Sequence, residues 1–163
     1  MAFDFSTLVT DRTADDVRRF FYLRDKGFEN MTAEEQTEWM SYSMKGAYNA
    51  KDIMRVSLAL EHLYERLKAA GYITPSTEFK IKLSWSTSSI PTTEDLSYYL
   101  RAVKIVREAL AQFETTPPAP EDTGALNHIE ANNIELILID VENLINNMLA
   151  ARHYCGDVFA GEI

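Results

Sequence analysis

Apolar residues recur with a helical period in three long stretches of the chain. In the first stretch they are separated alternately by three and four residues, at Ile53, Val56, Leu60, Leu63, Leu67 and Ala70. The second stretch repeats this spacing at Leu96, Tyr99, Val103, Val106, Leu110 and Phe113. The third carries Ile134, Ile137, Val141, Leu144 and Met148. This spacing predicts long amphipathic helices over about 50–70, between Pro91 and the 115–120 segment, and over about 126–151.

Capping residues predict two shorter helices before the long ones. Thr13 followed by Asp16 opens a helix over about 14–26 that ends at Gly27. Thr32 and Glu35 form a capping box that starts a second helix running toward Met44. The last long helix is apolar on several sides, so we expect it in the middle of the packing. The near-3.5 period favours helices aligned as in bundles. We predict an all-α bundle of three long and two shorter helices.

The segment 79–85 departs from this helical pattern. Its apolar residues are Phe79, Ile81, Leu83 and Trp85. They alternate strictly with Lys80, Lys82 and Ser84. Alternation indicates a strand, but a lone strand is marginal and only 2–5 and 156–163 offer a partner. We favour an extended crossover whose apolar side chains cover the end of the bundle.

The length and composition of the chain limit the number of domains that it can form. The 163 residues, 46% of them apolar, suffice for one sizeable core. We expect a single helical domain over 1–163, with an extended arm at 1–12, linkers at 72–91 and 114–123, and an extended tail at 154–163.

The net charge of the chain limits the kinds of partner that we expect it to bind. The chain has 25 acidic and 16 basic residues and a net charge of -9. Nucleic acid and anionic membrane would be repelled by this charge. No stretch approaches the roughly 18–20 apolar residues of a spanning helix, and the first residues lack the features of a signal peptide. We expect no nucleic acid and no membrane as partners, and a protein made and kept on the cytoplasmic side.

Metal and cofactor chemistry finds little support in the sequence. No Glu-x-x-His pair of the kind used by di-iron bundles occurs. His62 and Glu65 share a helix face that we place on the solvent side. Near His128, at the start of the last helix, the acidic Glu130 and Glu135 complement the helix dipole. The Walker and Gly-x-Gly-x-x-Gly phosphate loops are absent too. We predict no metal, no cofactor and no evident small-molecule substrate.

For two further features of the sequence, a functional role has to be weighed against simple packing. Cys155 and His153 lie two residues apart, yet free cysteine most often packs as a small hydrophobe. Trp39, Tyr42 and Tyr48 are compatible with a sugar or peptide groove, but packing of two short helices on the core explains them better. We therefore predict no catalytic residue.

Several strings of the chain together resemble a known protein family. They are Leu8-Val-Thr-Asp-Arg-Thr13, Met31-Thr-Ala-Glu-Glu followed by Trp39, Lys45-Gly-Ala-Tyr-Asn49, Leu83-Ser-Trp, Ile90-Pro-Thr and Tyr154-Cys-Gly-Asp-Val-Phe-Ala-Gly-Glu162. The chain resembles, over nearly its whole length, small minor structural or tail-associated proteins of phages and prophages of Firmicutes.

The resemblance implies a non-enzymatic virion component of the tail or baseplate. It would be made in the bacterial cytoplasm and then enter the virion, with other phage structural proteins or further copies of itself as partners. If so, we expect strand addition to a neighbour's sheet edge through Phe79, Ile81, Leu83, Trp85, Val158, Phe159 and Ile163.

Two alternatives stay open beside the virion component. One is an acidic helical binding module, such as a host-directed phage adaptor or inhibitor. The other is an enzyme, which would need a pocket joining Glu61, His62 or His128 to Cys155.

Overall fold

The protein was examined as a computed structural model, which describes residues 3–86, 91–121 and 126–157 and the side chains of these residues up to 151. Five α-helices occur in this part of the chain, and none of it forms a strand: α1 (Ala14–Lys26), α2 (Ala33–Met40), α3 (Ala50–Ala69), α4 (Thr93–Glu108) and α5 (His128–Asp157). The all-α prediction with three long and two shorter helices is confirmed.

Capping boxes start four of these helices. The side chains of Thr13, Thr32, Asn49 and Thr92 each accept a hydrogen bond from a backbone N–H in the first turn. In each box the backbone N–H of the capping residue in turn donates to the carboxylate of an aspartate or glutamate three residues on. The boxes predicted at Thr13 and Thr32 are therefore present, and they fix where α1 and α2 begin.

Two helices end earlier than the sequence pattern predicted. α2 stops at Met40 because Tyr42 adopts a left-handed backbone conformation, with φ of 51°. α4 stops at Glu108, before Leu110 and Phe113. The side-chain amide of Gln112 donates to the carbonyl oxygens of Arg107 and Leu110, which provides partners for carbonyls that a helix end leaves free.

The three long helices run in the same direction. Arg55 near the start of α3 pairs with Glu135 near the start of α5, whereas Arg66 near the end of α3 pairs with Glu142 further along α5. α4 begins at the same end of the bundle, since Pro91 lies in one groove with Ile53 of α3. The chain must therefore return along the bundle twice, after α3 and after α4.

The core lies between α3, α4 and α5, each of which contacts the other two. Its fully covered side chains are Val56, Leu60, Leu63, Leu67, Val103, Val106, Ile134, Ile137, Leu138 and Val141. Most of the three predicted apolar stripes are thus buried. Leu138 and Ile145, which widen the stripe of α5, are also buried, but Leu149 is 41% exposed. α5 therefore shares the core with α3 and α4, and the central position predicted for this helix is not found.

The 79–85 segment is an extended crossover rather than a strand. Phe79 stacks on Tyr64 of α3 at 4.0 Å between ring centroids, and Phe79, Ile81 and Trp85 pack against the core. Ion pairs from Glu78 to Arg101 and from Lys82 to Asp95 show that the segment runs antiparallel to α4. The predicted crossover is therefore present, but it covers the flank of the bundle and not its end.

Both chain ends differ from the predicted extended arm and tail. Residues 154–157 are the last turn of α5, because the helix formers at 149–152 carry it onward and no proline interrupts it. The arm contains a short 3₁₀ turn at Phe5–Thr7, and its Phe3, Phe5 and Leu8 pack on the core. The apolar side chains of the arm are thus part of the folded domain.

Candidate functional site

A groove lined mainly by aromatic rings lies where α1 and α2 meet the start of α3. It has a volume of about 520 Å³, and its walls include Phe20, Trp39, Tyr42, Met44, Tyr48 and Pro91. We call it the aromatic groove. α1 and α2 supply two of these rings, and the 41–49 loop supplies the tyrosines. Large aromatic side chains exposed in a concave surface are typical of binding sites.

Two of the aromatic rings that line the groove pack against each other. Phe20 and Trp39 stack with their ring planes 11° apart and their centroids at 5.5 Å, which joins α1 to α2. For Trp39, Tyr42 and Tyr48 the sequence favoured helix packing over a groove. The structure combines them, since the stacked rings hold the helices together and also form one wall of the groove.

Several large side chains between α1 and the 41–49 loop stand in solvent, and two of them, Phe21 and Tyr42, also line the groove. Phe21, Tyr22, Phe28, Met40 and Tyr42 are each between 43% and 54% exposed. We call this set the aromatic patch. Basic side chains lie over two of its rings, with Arg24 at 4.5 Å from the centroid of Phe21 and Arg19 at 5.5 Å from that of Tyr22. Aromatic residues and arginine are the types enriched at the centre of protein interfaces.

Tyr42 is held in an unusual backbone conformation. Within the described ranges it is the one non-glycine residue with a positive φ. Asn49, the cap of α3, donates from its Nδ2 to the carbonyl oxygen of Tyr42 at 3.2 Å. Left-handed backbone at a bulky residue costs free energy, and such residues concentrate at binding sites. Here the conformation presents a half-exposed ring to the groove.

Gly46 fixes the 41–49 loop against α1. A Cβ atom at this position would lie 2.0 Å from the carbonyl oxygen of Asp16, so no other residue fits without movement of the backbone. This contact gives a physical reason for the glycine in the Lys45-Gly-Ala-Tyr-Asn49 string. It also sets the position of Tyr48, which lines the groove.

A buried cluster of four charges lies behind the groove. Arg12 of the arm donates to Glu135 of α5 at 2.6 Å and to Asp52 of α3 at 3.3 Å. Arg55 donates to the same two carboxylates at 3.0 and 2.7 Å. The formal charges of this ion-pair cluster cancel. Buried charges need such pairing, because an unpaired one would lose its hydration without compensation.

Glu135 is the centre of the ion-pair cluster. Its side chain has no exposed area, and its second carboxylate oxygen accepts the backbone N–H of Val9 at 2.6 Å. The prediction that Glu135 serves the dipole at the surface of a helix start was therefore wrong. The signal for burial was present in the sequence, since position 135 falls between Ile134 and the apolar residues that widen the stripe of α5.

Two tyrosine hydroxyls join the loop to the bundle. The hydroxyl oxygens of Tyr48 and Tyr99 lie 2.5 Å apart, within hydrogen-bonding distance. Burial raises the pKa of both groups, so both stay neutral in the folded protein over the ordinary pH range. The sequence placed Tyr99 in a core stripe but gave no indication of its hydroxyl partner.

The predicted interface residues divide into two groups. Phe79, Ile81 and Trp85 lie together against the core, and Leu83 is half-buried in the same segment. Val158, Phe159 and Ile163 lie outside the described residues. Their proposed role in contacts stays a prediction.

The candidate chemical residues whose side chains are described are not brought together. His62 is half-buried beside the ring of Phe5, not fully solvated as predicted, and burial lowers its pKa. In the part of the chain that is described, no three His, Cys, Asp or Glu side chains are grouped as a metal site requires. The side chains of His153 and Cys155 lie outside that part. No described helix has both the length and the hydropathy needed to cross a membrane.

The chain matches none of the protein-family models, and it has no match among the curated proteins or the solved structures.

Proposed function

We propose that this protein is a non-enzymatic assembly protein that acts through protein contacts, with the aromatic patch and groove as its docking surface. The observation that carries the proposal is the exposure of five large apolar side chains on one small unit of the fold. Complete burial of a large apolar side chain contributes about 1.5–3 kcal/mol, so covering the exposed half of each of these side chains in a partner would contribute about 1 kcal/mol. Large apolar side chains that are exposed in one region of a protein are typical of interaction sites.

The rest of the fold supports this role. The ion-pair cluster, the Tyr48–Tyr99 hydrogen bond and Gly46 all fix the docking surface to the bundle. A surface held in one conformation loses less entropy when it binds. The bundle therefore serves as a rigid support.

The place of action follows from the sequence resemblance. We propose a phage tail or baseplate component that is made in the bacterial cytoplasm and then enters the virion. Its partners would be other phage structural proteins and further copies of the chain. The net charge of -9 favours basic partner surfaces and makes such contacts weaker as salt rises.

The test compares particles made with the wild-type chain and with surface variants. We expect Phe21→Ser/Tyr22→Ser to fold, as judged by circular dichroism, and to be missing from purified particles in mass spectrometry. Leu58→Ser is the matched control, because Leu58 is 39% exposed on α3 outside the patch. Normal incorporation of the double variant would refute the proposal.

The same experiment distinguishes the proposed function from the second candidate function. A host-directed adaptor or inhibitor would be absent from particles even as the wild-type chain. It would instead be recovered from infected cells with a host protein, in a complex that the Phe21→Ser/Tyr22→Ser variant loses.

A further inference from the structure

The charge of the aromatic groove differs from that of the whole protein. Its lining residues include the cation Lys51 and no carboxylate, although the chain carries a net charge of -9. The lining also includes Asn49 and Ala50 at the N-terminus of α3, the positive end of the helix dipole. The groove is therefore suited to an apolar segment that carries a negative charge.

The sequence contains such a segment immediately after α5. The six residues that follow Asp157 are Val158, Phe159, Ala160, Gly161, Glu162 and Ile163. Three of them are large and apolar, and one is a carboxylate. Their chemistry complements aromatic walls with a lysine beside them.

The segment of the same chain is too far away to reach the groove. The first residue of α5, His128, lines a cavity that shares Phe21, Gly46 and Tyr48 with the groove, so α5 begins beside the groove. Its 30 residues then lead away over about 45 Å. Six extended residues span at most about 21 Å. Only another copy can place this segment in the groove.

We propose that the aromatic groove of one copy binds the 158–163 segment of a second copy. The inference rests on the proposed function, because it names the partner of the same docking surface. The two contacting surfaces differ, so each copy keeps a free groove or a free segment after the first contact. Such head-to-tail contacts build a ring if the rotation closes and an open chain if it does not.

Three variants of the full-length chain test the contact. The groove variant is Tyr42→Gly/Lys51→Glu, in which glycine accepts the left-handed backbone without strain. The segment variant is Phe159→Asp. The control is Lys68→Glu, which makes the same charge change on the exposed side chain at the far end of α3. Circular dichroism confirms that each variant folds.

Sedimentation velocity from micromolar to millimolar concentration is the readout. We expect the wild type and the control to form larger species as concentration rises. The groove variant and the segment variant should each be monomeric, with affinity lowered by about a hundredfold, as loss of a buried aromatic contact produces. Wild-type association by the segment variant would overturn the inference.

Mixing the two monomeric variants gives the sharpest result. The segment variant still has a working groove and the groove variant still has a working segment, so an equimolar mixture should form a dimer and stop there. A mixture that stays monomeric would contradict the proposed contact. A charge exchange, Lys51→Glu with Glu162→Lys, should restore association that Lys51→Glu alone weakens.

The outcomes also separate this inference from the proposed function. A wild-type chain that stays monomeric at millimolar concentration, while Phe21→Ser/Tyr22→Ser is lost from particles, overturns the inference and leaves the proposed function standing. Head-to-tail association by a chain whose patch variant still enters particles supports the inference and overturns the proposed function.

Discussion

The α3–α5 bundle and the α1–α2 unit use apolar residues in opposite ways. In the bundle, aliphatic side chains such as Leu60, Val103 and Ile137 have no exposed area. In the α1–α2 unit, Leu23 is fully buried, but Phe21 and Tyr22 are about half exposed. Apolar content by itself therefore does not distinguish a core from a contact surface. The distinction lies in whether a neighbouring element covers the side chain.

The junction between the two regions is polar. Arg12, Asp52, Arg55 and Glu135 connect the arm to α3 and α5, and Asn132 exchanges two hydrogen bonds with the backbone of Arg12. A polar junction requires defined geometry, since each buried charge needs its partner. The buried ion pairs can therefore keep the α1–α2 unit in a fixed position on the bundle, although other elements cover little of this unit.

The largest expected effect comes from breaking the junction itself. Glu135→Ala leaves two buried guanidinium groups without their main partner and should lower the free energy of unfolding by about 3–5 kcal/mol. Urea denaturation followed by circular dichroism measures this. Glu65→Gln, on an exposed residue of α3, should change the midpoint little. Equal effects for the two variants would show that the ion-pair cluster does not hold the regions together.

The contrast between the regions is tested by removing one apolar side chain from each. Leu60→Ala in the core should cost about 2–5 kcal/mol, because it loses buried contacts and leaves a cavity. Phe21→Ala should cost under about 1 kcal/mol, since nearly half of this ring is in solvent. Similar losses for both in urea denaturation would place Phe21 in the core and contradict its proposed role as a contact residue.

Gly46→Ala tests how the loop is fixed to α1. The added methyl group meets the backbone of Asp16, and overpacking of this kind costs about 1–3 kcal/mol. Ala47→Gly serves as the neighbouring control. Tryptophan fluorescence should also change, because Trp39 lines the groove beside this loop. Unchanged stability and fluorescence would mean that α1 moves easily away from the loop.

The smallest expected effect is the alkaline response of the tyrosine pair. Burial raises the pKa of Tyr99 above its unfolded value, so this contribution to stability is full below about pH 10 and is lost as pH rises through the folded pKa. Tyr99→Phe should therefore lose less stability than the wild type between about pH 9 and 11. The change in urea midpoint over this range measures it. Tyr72→Phe, on an exposed ring, should behave as the wild type does.

Much of the helical structure was predictable because its causes are local. The capping residues Thr13 and Thr32 determine where α1 and α2 start, and the three-four spacing identifies the buried faces of α3 and α5. The ends of α2 and α4 were missed, since they depend on the left-handed Tyr42 and the carbonyl contacts of Gln112. The apolar neighbours of Glu135 indicated burial, but its ion pairs were missed because its partners are 80 and 123 residues away.

The aromatic groove also depends on contacts between residues that are far apart in sequence. The sequence favoured packing over a groove for Trp39, Tyr42 and Tyr48, whereas the structure shows that all three line the groove. The stack of Trp39 on Phe20 and the exposure of Tyr42 depend on how α1, α2 and α3 meet.

The sequence alone determined the helices and the faces they bury, because caps and apolar periodicity act over a few residues. Only the tertiary structure decided the common direction of the long helices, the course of the 79–85 crossover along α4 and the pairing of Arg12 with Glu135. Each of these depends on residues far apart in sequence, whose contact requires the folded packing of the whole domain. The proposed docking surface belongs to this second group, since the exposure of a ring depends on whether another element covers it.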